Sequence, residues 1–249
     1  MDTILIKDLQ KDYKSLDGKT ISISGWVKSV RSNGSFGFID FTDGTAFKGI
    51  QIVFDNKLAN FAEIEKLNAG SSICCDGTFV LTPQNKQPYE MHATNLQIIS
   101  ATDADYPLQK KRHSIEFLRD IAYLRPRTNL FQAVFRIRSV AAMAIHTYFQ
   151  DHGFLYVHTP LITCTDCEGS DQMFKVTTLN FDNLPKTKDG KVDFSKDLFG
   201  KQAFITGSGQ LHGEAFAMAF NKIYTFGPTF RTENSNTKIH ANEFWMIEP

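Results

Sequence analysis

No apolar run in these 249 residues approaches the roughly 20 needed to span a bilayer. The first residues, MDTILIKDLQKDY, are acidic, mixed and short of apolar side chains, unlike a secretory leader, and the expected location is cytoplasmic. Net charge is missing too: 27 basic residues balance 27 acidic ones, so bulk charge does not announce a nucleic-acid partner. That balance leaves local fields open. Only four cysteines occur, as Cys74-Cys75 and Cys164/Cys167. One CxxC with no second pair and no histidines at ligand spacing points to reduced thiols rather than a zinc site. The glycines of ITGSGQLHGE suggest a phosphate turn, but no lysine follows at P-loop spacing, which removes that reading.

What is abundant is phenylalanine, with 22 copies. Several sit in a run of short strands over residues 1–101. The strands read as Thr20–Val27, Phe36–Phe41, Ile50–Phe54, Ser72–Leu81 and Tyr89–Ile99, separated by Ser32-Asn33-Gly34, Asp43-Gly44 and Pro83-Gln84-Asn85. Leu58–Leu67 has helical spacing and Gly70 stops it. Five strands with a helix between the third and fourth is the layout of an OB-fold barrel, whose second and third strands commonly stack single-stranded bases on aromatics. Alternation puts Phe36 and Phe38 on one face while Ile39 and Phe41 straddle the other. One apolar face is explained by a core and the other asks for a ligand. Residues 1–100 hold ten Lys/Arg against eleven Asp/Glu, so stacking and edge contacts must outweigh bulk charge.

Residues 102–127 form a polar hinge with a basic run, Lys110-Lys111-Arg112 then Arg119, Arg125 and Arg127. It fits a solvated face and RNA-backbone contact equally. Thr128 or Asn129 caps a long helix in which Leu130, Val134, Ile137, Ala141, Ile145 and Phe149 recur at helical spacing, which predicts a buried face. Gly153 ends it, and Phe154–Pro160 reads as a strand. Residues 181–201 read as a polar surface insertion, and Leu211–Asn221 as a helix. Ile223–Phe226 then reads as a strand closed by Gly227-Pro228, Phe230–Glu233 follows, and a turn-forming loop, Asn234–Thr237, leads to a second strand, Glu243–Glu248. Period two places Phe244, Met246 and Glu248 on one face of that last strand.

The segment FRTEN, a short loop and EFWMIEP resembles motif 2 of class II aminoacyl-tRNA synthetases, and within that class the asparaginyl branch of the aspartyl/asparaginyl/lysyl subgroup. The helix–strand–proline unit over 128–160 is similar to motif 1, the dimer seam. GFIDFTDG and GIQIVFD resemble the anticodon-binding domain of the same subgroup. The implied fold class is α+β: an N-terminal five-stranded OB-fold barrel, then a truncated class II antiparallel-sheet catalytic domain. The implied division is 1–101 anticodon-binding domain, 102–127 hinge and 128–249 catalytic part. The resemblance covers the whole chain but only the first half of such an enzyme, because the glycine-rich motif 3 is absent. The expectation is a fragment, inactive alone.

What the resemblance implies chemically is ATP-dependent activation of L-asparagine to asparaginyl-adenylate and transfer to tRNA(Asn). Arg231 is the implied catalytic clamp on carboxylate and α-phosphate. Glu233 accepts from the adenine amino group, Phe244 stacks on adenine and His240 reaches the terminal phosphate. That loop carries Lys238-Ile239-His240, where relatives commonly place an arginine before the histidine. Glu168, Gln210, Gly213 and Glu248 are the implied amino-acid contacts. Arg31, Phe38 and Gln51 are the implied anticodon contacts. Magnesium accompanies the ATP, but its ligands are expected beyond residue 249, so no metal site is expected here. The implied partners are tRNA(Asn), L-asparagine, ATP and a second copy through 128–160, with no membrane. Two other readings stand beside this one: an aspartyl or non-discriminating ligase, and a non-catalytic RNA-binding module derived from a synthetase.

Overall fold

A computed structural model describes residues 3–166, 173–232, 237 and 239–249. The elements in order are α1 (Ile6–Lys11), β1 (Thr20–Ser32), β2 (Phe36–Thr42), β3 (Ile50–Asp55), α2 (Phe61–Ile64), β4 (Ser72–Leu81), β5 (Tyr89–Ser100), α3 (Ile115–Asp120) and α4 (Asn129–Asp151). After them come β6 (Leu155–Tyr156), β7 (Ile162–Thr163), β8 (Lys175–Val176), β9 (Ala203–Ile205), α5 (Gln210–Phe220), β10 (Ile223–Phe230) and β11 (Glu243–Glu248). The chain divides into two compact units, Met1–Arg138 and Ser139–Pro249.

In the first unit, β1-β2-β3-β5-β4 close into the expected five-stranded barrel. Alternation does the sorting: Ile50, Ile52 and Phe54 of β3 point inward, as do Ile73, Cys75 and Phe79 of β4. Ile6 and Leu9 of α1, a helix not expected from the sequence, join the same core. The Cys75 thiol lies inside it, and burial pushes it up to about 12, so it stays protonated at neutral pH. Gly37 takes an inward position between two outward phenylalanines, because a Cβ there would meet the Phe54 ring at 2.4 Å. The helix expected over Leu58–Leu67 shortens to Phe61–Ile64, flanked by hydrogen-bonded turns, and Gly70 adopts φ +90° beyond them.

In the second unit, β11-β10-β6 form one three-stranded sheet and β7-β9-β8 a second. Strand β10 does not stop at Gly227-Pro228 but continues to Phe230. The reason lies in the pairing. The Phe230 N–H points to Thr206 O at 3.2 Å, on the side away from β11. Pro228, two residues earlier, has its nitrogen on that same side, so its missing N–H costs no bond to β11. Tyr224 is fully buried: the Phe149 ring stacks on it at 4.9 Å and His146 Nδ1 lies 2.8 Å from its hydroxyl. The buried face expected for α4 is not found, since none of its residues is buried. Within Ser139–Pro249, Val140, Met143 and Tyr148 are 57–70% exposed, and only the end carrying His146 and Phe149 meets neighbours that cover it.

The polar insertion is held by Asp197, which is buried and accepts from Thr178 N and Oγ1, each at 2.9 Å, and from Leu198 N at 2.8 Å. The Thr177 hydroxyl and then the Thr178 N–H pull its carboxyl down to about 2. A carboxylate with a lowered folded-state pKa stabilises above its unfolded value, and that contribution disappears as pH falls through the folded one. Acid titration of the wild type should therefore lose stability between about pH 4 and about pH 2 through this group. Asp197→Asn should lower the melting temperature at pH 7 and flatten that acid limb. Parallel melting curves of the two proteins from pH 7 to pH 2 would contradict this.

Candidate functional site

Two groups of side chains stand out, one in each unit. In the barrel, β1 pairs with β2 through Arg31↔Phe38, and β2 pairs with β3 through Phe38↔Val53 and Asp40↔Gln51. With Ile39, Phe41 and Ile52 inside, Arg31, Phe38 and Gln51 share the outer face. Arg31 Cζ sits 5.6 Å from the Phe38 ring centroid, and its Nη2 donates to Gln51 Oε1 at 3.5 Å. Phe36 packs edge-on against Phe38 at 5.5 Å and is 42% exposed. The three expected anticodon contacts are thus neighbours on one solvent-facing aromatic and basic patch. Glu90 and His92 of β5, which sequence reasoning missed, continue the same face. Gln51 Nε2 donates to Glu90 Oε2 at 3.1 Å, and His92 Nε2 lies 2.9 Å from Glu90 Oε1.

The basic hinge is packed on aromatic rings at one end and exposed at the other. Arg125 lies over the Phe131 ring at 4.9 Å, and Arg127 donates to the Tyr106 hydroxyl at 3.0 Å. These two are occupied by aromatic neighbours. Lys110, Lys111 and Arg112 are exposed.

In the second unit the hairpin β10–β11 pairs Thr225 with Glu248, Gly227 with Met246 and Thr229 with Phe244. Phe244, Met246 and Glu248 therefore share a face, as period two predicts. Arg231 follows β10 and folds onto that face. Its Nε donates to Gly207 O at 3.2 Å, its Nη2 lies 3.7 Å from Met246 Sδ, and its Cζ is 5.7 Å from the Phe244 ring centroid. A guanidinium oriented through Nε and backed by an aromatic ring is preorganised as a flat fork.

Glu248 is fixed by three donors. It accepts from Ser208 Oγ at 2.5 Å, Gly209 N at 3.0 Å and Thr225 Oγ1 at 3.0 Å. Gly209 is the N-cap of α5, where the helix end favours an anion. A Cβ on Gly209 would meet Thr159 Oγ1 at 2.9 Å and Thr225 Oγ1 at 3.0 Å, so glycine lets this turn approach β10. Glu248, Met246, Thr225 and Gly209 line a shallow open cleft, shared with Tyr156 and Thr159. Gly213 is buried on α5, and a Cβ there would lie 3.5 Å from Ile223 Cδ1 and 3.8 Å from Thr225 Cγ2. A longer side chain at 213 would begin against the threonine that holds Glu248.

Other expected contacts fall elsewhere. Gln210 Nε2 donates to Glu214 Oε1 at 2.9 Å on the exposed side of α5. His240 is exposed, with Nδ1 2.6 Å from Thr237 Oγ1. Glu168 and Glu233 lie outside the described residues. Ser208, Gly209 and Thr225 were missed by sequence reasoning, although a TGSG turn opening a helix was the available signal.

Among the described residues, no three His, Cys, Asp or Glu side chains gather as a cation site. Nor does any described helix have the length and apolarity to cross a membrane.

Comparison with known proteins gives the frame for both sites. A family model described as tRNA synthetases class II (D, K and N) matches residues 114–249, and one described as an OB-fold nucleic acid binding domain matches residues 21–99. Asparagine–tRNA ligase of Clostridium acetobutylicum is 57% identical over 249 residues, covering all of this chain and 54% of that protein. Its counterpart in Acetivibrio thermocellus is 58% identical, again with 54% of that protein covered. Asparaginyl-tRNA synthetase from Pyrococcus horikoshii, solved with asparaginyl-adenylate, superposes with a TM-score of 0.82 at 25% identity, over 99% of this chain and 52% of that one. The chain spans about half the length of the curated relatives it matches. The catalytic-domain model alone covers more than half of the 249 residues, and this chain belongs to the class II tRNA synthetases of the D, K and N family.

Proposed function

We propose that this chain is the first half of an asparagine–tRNA ligase. In this reading residues 1–101 bind the anticodon of tRNA(Asn), 102–127 are the hinge, and 128–249 contribute motifs 1 and 2 of the catalytic domain. The observation that carries the reading is the shared face of β10–β11, where Arg231, Phe244 and the clamped Glu248 converge. The substrate carboxylate oxygen attacks the α-phosphorus of ATP, a P–O bond forms, and pyrophosphate leaves with the electron pair. No protein nucleophile is needed, so alignment and charge neutralisation supply the rate. Arg231 binds the carboxylate and α-phosphate together. Phe244 stacks on the adenine, and Glu233, His240, Glu168 and Gln210 keep their carried-over roles. Magnesium would offset triphosphate charge when bound. Asparagine-dependent ATP–pyrophosphate exchange by the protein at its relatives' full length tests the reading; exchange with no amino-acid dependence would end it.

The exposed apolar face of α4 fits a second copy of the chain, as the motif 1 resemblance implies. Val140, 70% exposed, is central to the part within Ser139–Pro249. Val140→Glu should convert a dimer to monomers in light scattering without lowering helix content. A wild type that is already monomeric at full length would remove this proposal.

The tRNA role rests on the outer face of the barrel. Phe38→Ala should weaken binding of the tRNA(Asn) anticodon stem-loop by about 1–3 kcal/mol, the range for one base–aromatic stack. Barrel stability should barely change, because the ring lies outside the core. Equal affinities for the two proteins would make Phe38 a bystander.

A further inference from the structure

The turn Thr206-Gly207-Ser208-Gly209 joins β9 to α5 and touches both charged groups of the hairpin site. Gly207 O accepts from Arg231 Nε at 3.2 Å. The next two residues hold Glu248: Ser208 Oγ donates to Oε1 at 2.5 Å and Gly209 N to Oε2 at 3.0 Å. Three successive residues thus orient a guanidinium and a carboxylate, so the relation between the two depends on the shape of one turn. Thr206 fixes that shape. Its hydroxyl donates to Ser208 O at 2.6 Å and accepts from Ser208 N at 3.3 Å, engaging both backbone groups of a residue that is 1% exposed. The Thr206 backbone is tied in its turn. Its N–H donates to Leu161 O at 2.8 Å, and its carbonyl accepts at 3.2 Å from Phe230 N, one residue before Arg231. Thr206 is itself buried, which puts these bonds where water does not readily replace them.

We propose that Thr206 is a positioning residue that holds Arg231 and Glu248 in one geometry through this turn, and so sets both the rate of activation and the preference for asparagine. The proposal deepens the asparagine–tRNA ligase reading and rests on it. The Thr206 hydroxyl is committed to Ser208, so it acts on a substrate only through the two groups the turn carries. Thr206→Val keeps the shape of the side chain and removes the hydroxyl. The Ser208 N–H and carbonyl then lose that partner in a dry site, which is costly enough to make the turn relax. Gly207 O, Ser208 Oγ and Gly209 N belong to the same few bonds of backbone and move with it. Arg231 loses the anchor that aims its fork, and Glu248 loses two of the three donors that orient it.

The test is adenylate formation from asparagine and from aspartate by the protein at its relatives' full length, well below the melting temperature of every variant. Thr206→Val should lower kcat for asparagine by roughly 10–100-fold, the scale for a small misplacement of reacting groups. The KM for ATP should stay within about threefold, because the lost alignment matters most in the transition state. The same variant should reduce the asparagine-over-aspartate ratio by roughly tenfold, as expected when a buried hydrogen-bonded turn loses its partner. Thr206→Ser keeps the hydroxyl and should hold both quantities within about threefold of wild type. If Thr206→Val does not fold, Thr206→Cys is compared with Thr206→Ser. The two are close in size, but a thiol is a weak donor, and Thr206→Cys should show both losses. A folded Thr206→Val or Thr206→Cys protein with the wild-type ratio overturns the proposal. So does a loss of rate with the ratio intact, since the turn would then not govern Glu248. A wild type that activates no asparagine, or prefers aspartate, overturns the ligase reading and the proposal with it.

Discussion

In the full-length protein, Arg231→Lys is expected to lower the rate of asparaginyl-adenylate formation by roughly 10²–10³, the loss usual for one preorganised transition-state donor. Charge is retained in this variant, so the loss isolates geometry. Arg231 is oriented through Nε on Gly207 O and lies beside Phe244, which aims a planar fork across the face of the hairpin. Lysine has no equivalent of Nε and presents one tetrahedral point charge that cannot bridge a carboxylate and a phosphate side by side. The fall should appear in kcat more than in the KM for ATP, because the bridge tightens as charge develops at the α-phosphorus. Stopped-flow or exchange kinetics of the two proteins provide the comparison. An Arg231→Lys protein within threefold of wild type would assign Arg231 a structural role only.

The second expected result concerns the choice between asparagine and aspartate. These substrates are nearly isosteric, so hydrogen-bond polarity has to distinguish them. Glu248 is a carboxylate with about four acceptor positions. Ser208, Gly209 and Thr225 occupy three, which fixes the group and leaves it able to accept one more donor. The asparagine amide supplies such a donor, directly or through a water; the aspartate carboxylate supplies repulsion instead. Rejection on the order of 10⁴ is the scale for a site that leaves a buried polar group unpaired with the wrong substrate. Gly213 adds to this by putting no cation beside Thr225. Glu248→Gln is expected to bring the preference down to roughly 10–100-fold, mostly by slower activation of asparagine. The fold should survive, because the Ser208 hydroxyl can rotate to accept from the new amide. Adenylate formation from both amino acids, in wild type and variant, decides it. An unchanged preference would clear Glu248 of the role, and a wild type favouring aspartate would reject the asparagine assignment altogether.

Much of the barrel was legible because its strands obey period two and are punctuated by turn formers. Ile39 and Phe41 fell inside, while Phe36 and Phe38 fell outside, as alternation required. The β11 face of Phe244, Met246 and Glu248 was legible for the same reason. What failed was local in origin and long-range in outcome. Helix α1 has only six residues, and its Ile6 and Leu9 cannot be told from loop residues until a core receives them. Strands β7, β8 and β9 are two or three residues long, too short to show any period. Gly227-Pro228 reads as a stop, yet the strand continues through it because the proline nitrogen points away from β11. The α4 periodicity was real, but none of its residues is buried, and of the expected face within Ser139–Pro249 the end at Phe149, stacked on Tyr224, is covered.

By itself, the sequence determined the order of the five barrel strands and of the longer later elements, the inward and outward faces of the longer strands, and the membership of Arg231, Phe244 and Glu248 in one hairpin segment. Those properties depend on side-chain spacing along a single segment. Tertiary structure alone decided which distant groups hold them. Glu248 meets Ser208 and Gly209 across 40 and 39 positions of sequence, and Gln51 meets Glu90 across 39. Such pairs form only when the turn before α5 packs on the hairpin, or when β3 and β5 align in parallel. The register that joins them is set by burial of their apolar neighbours, Ile52 and Met91 among them, and no local pattern in the chain encodes it.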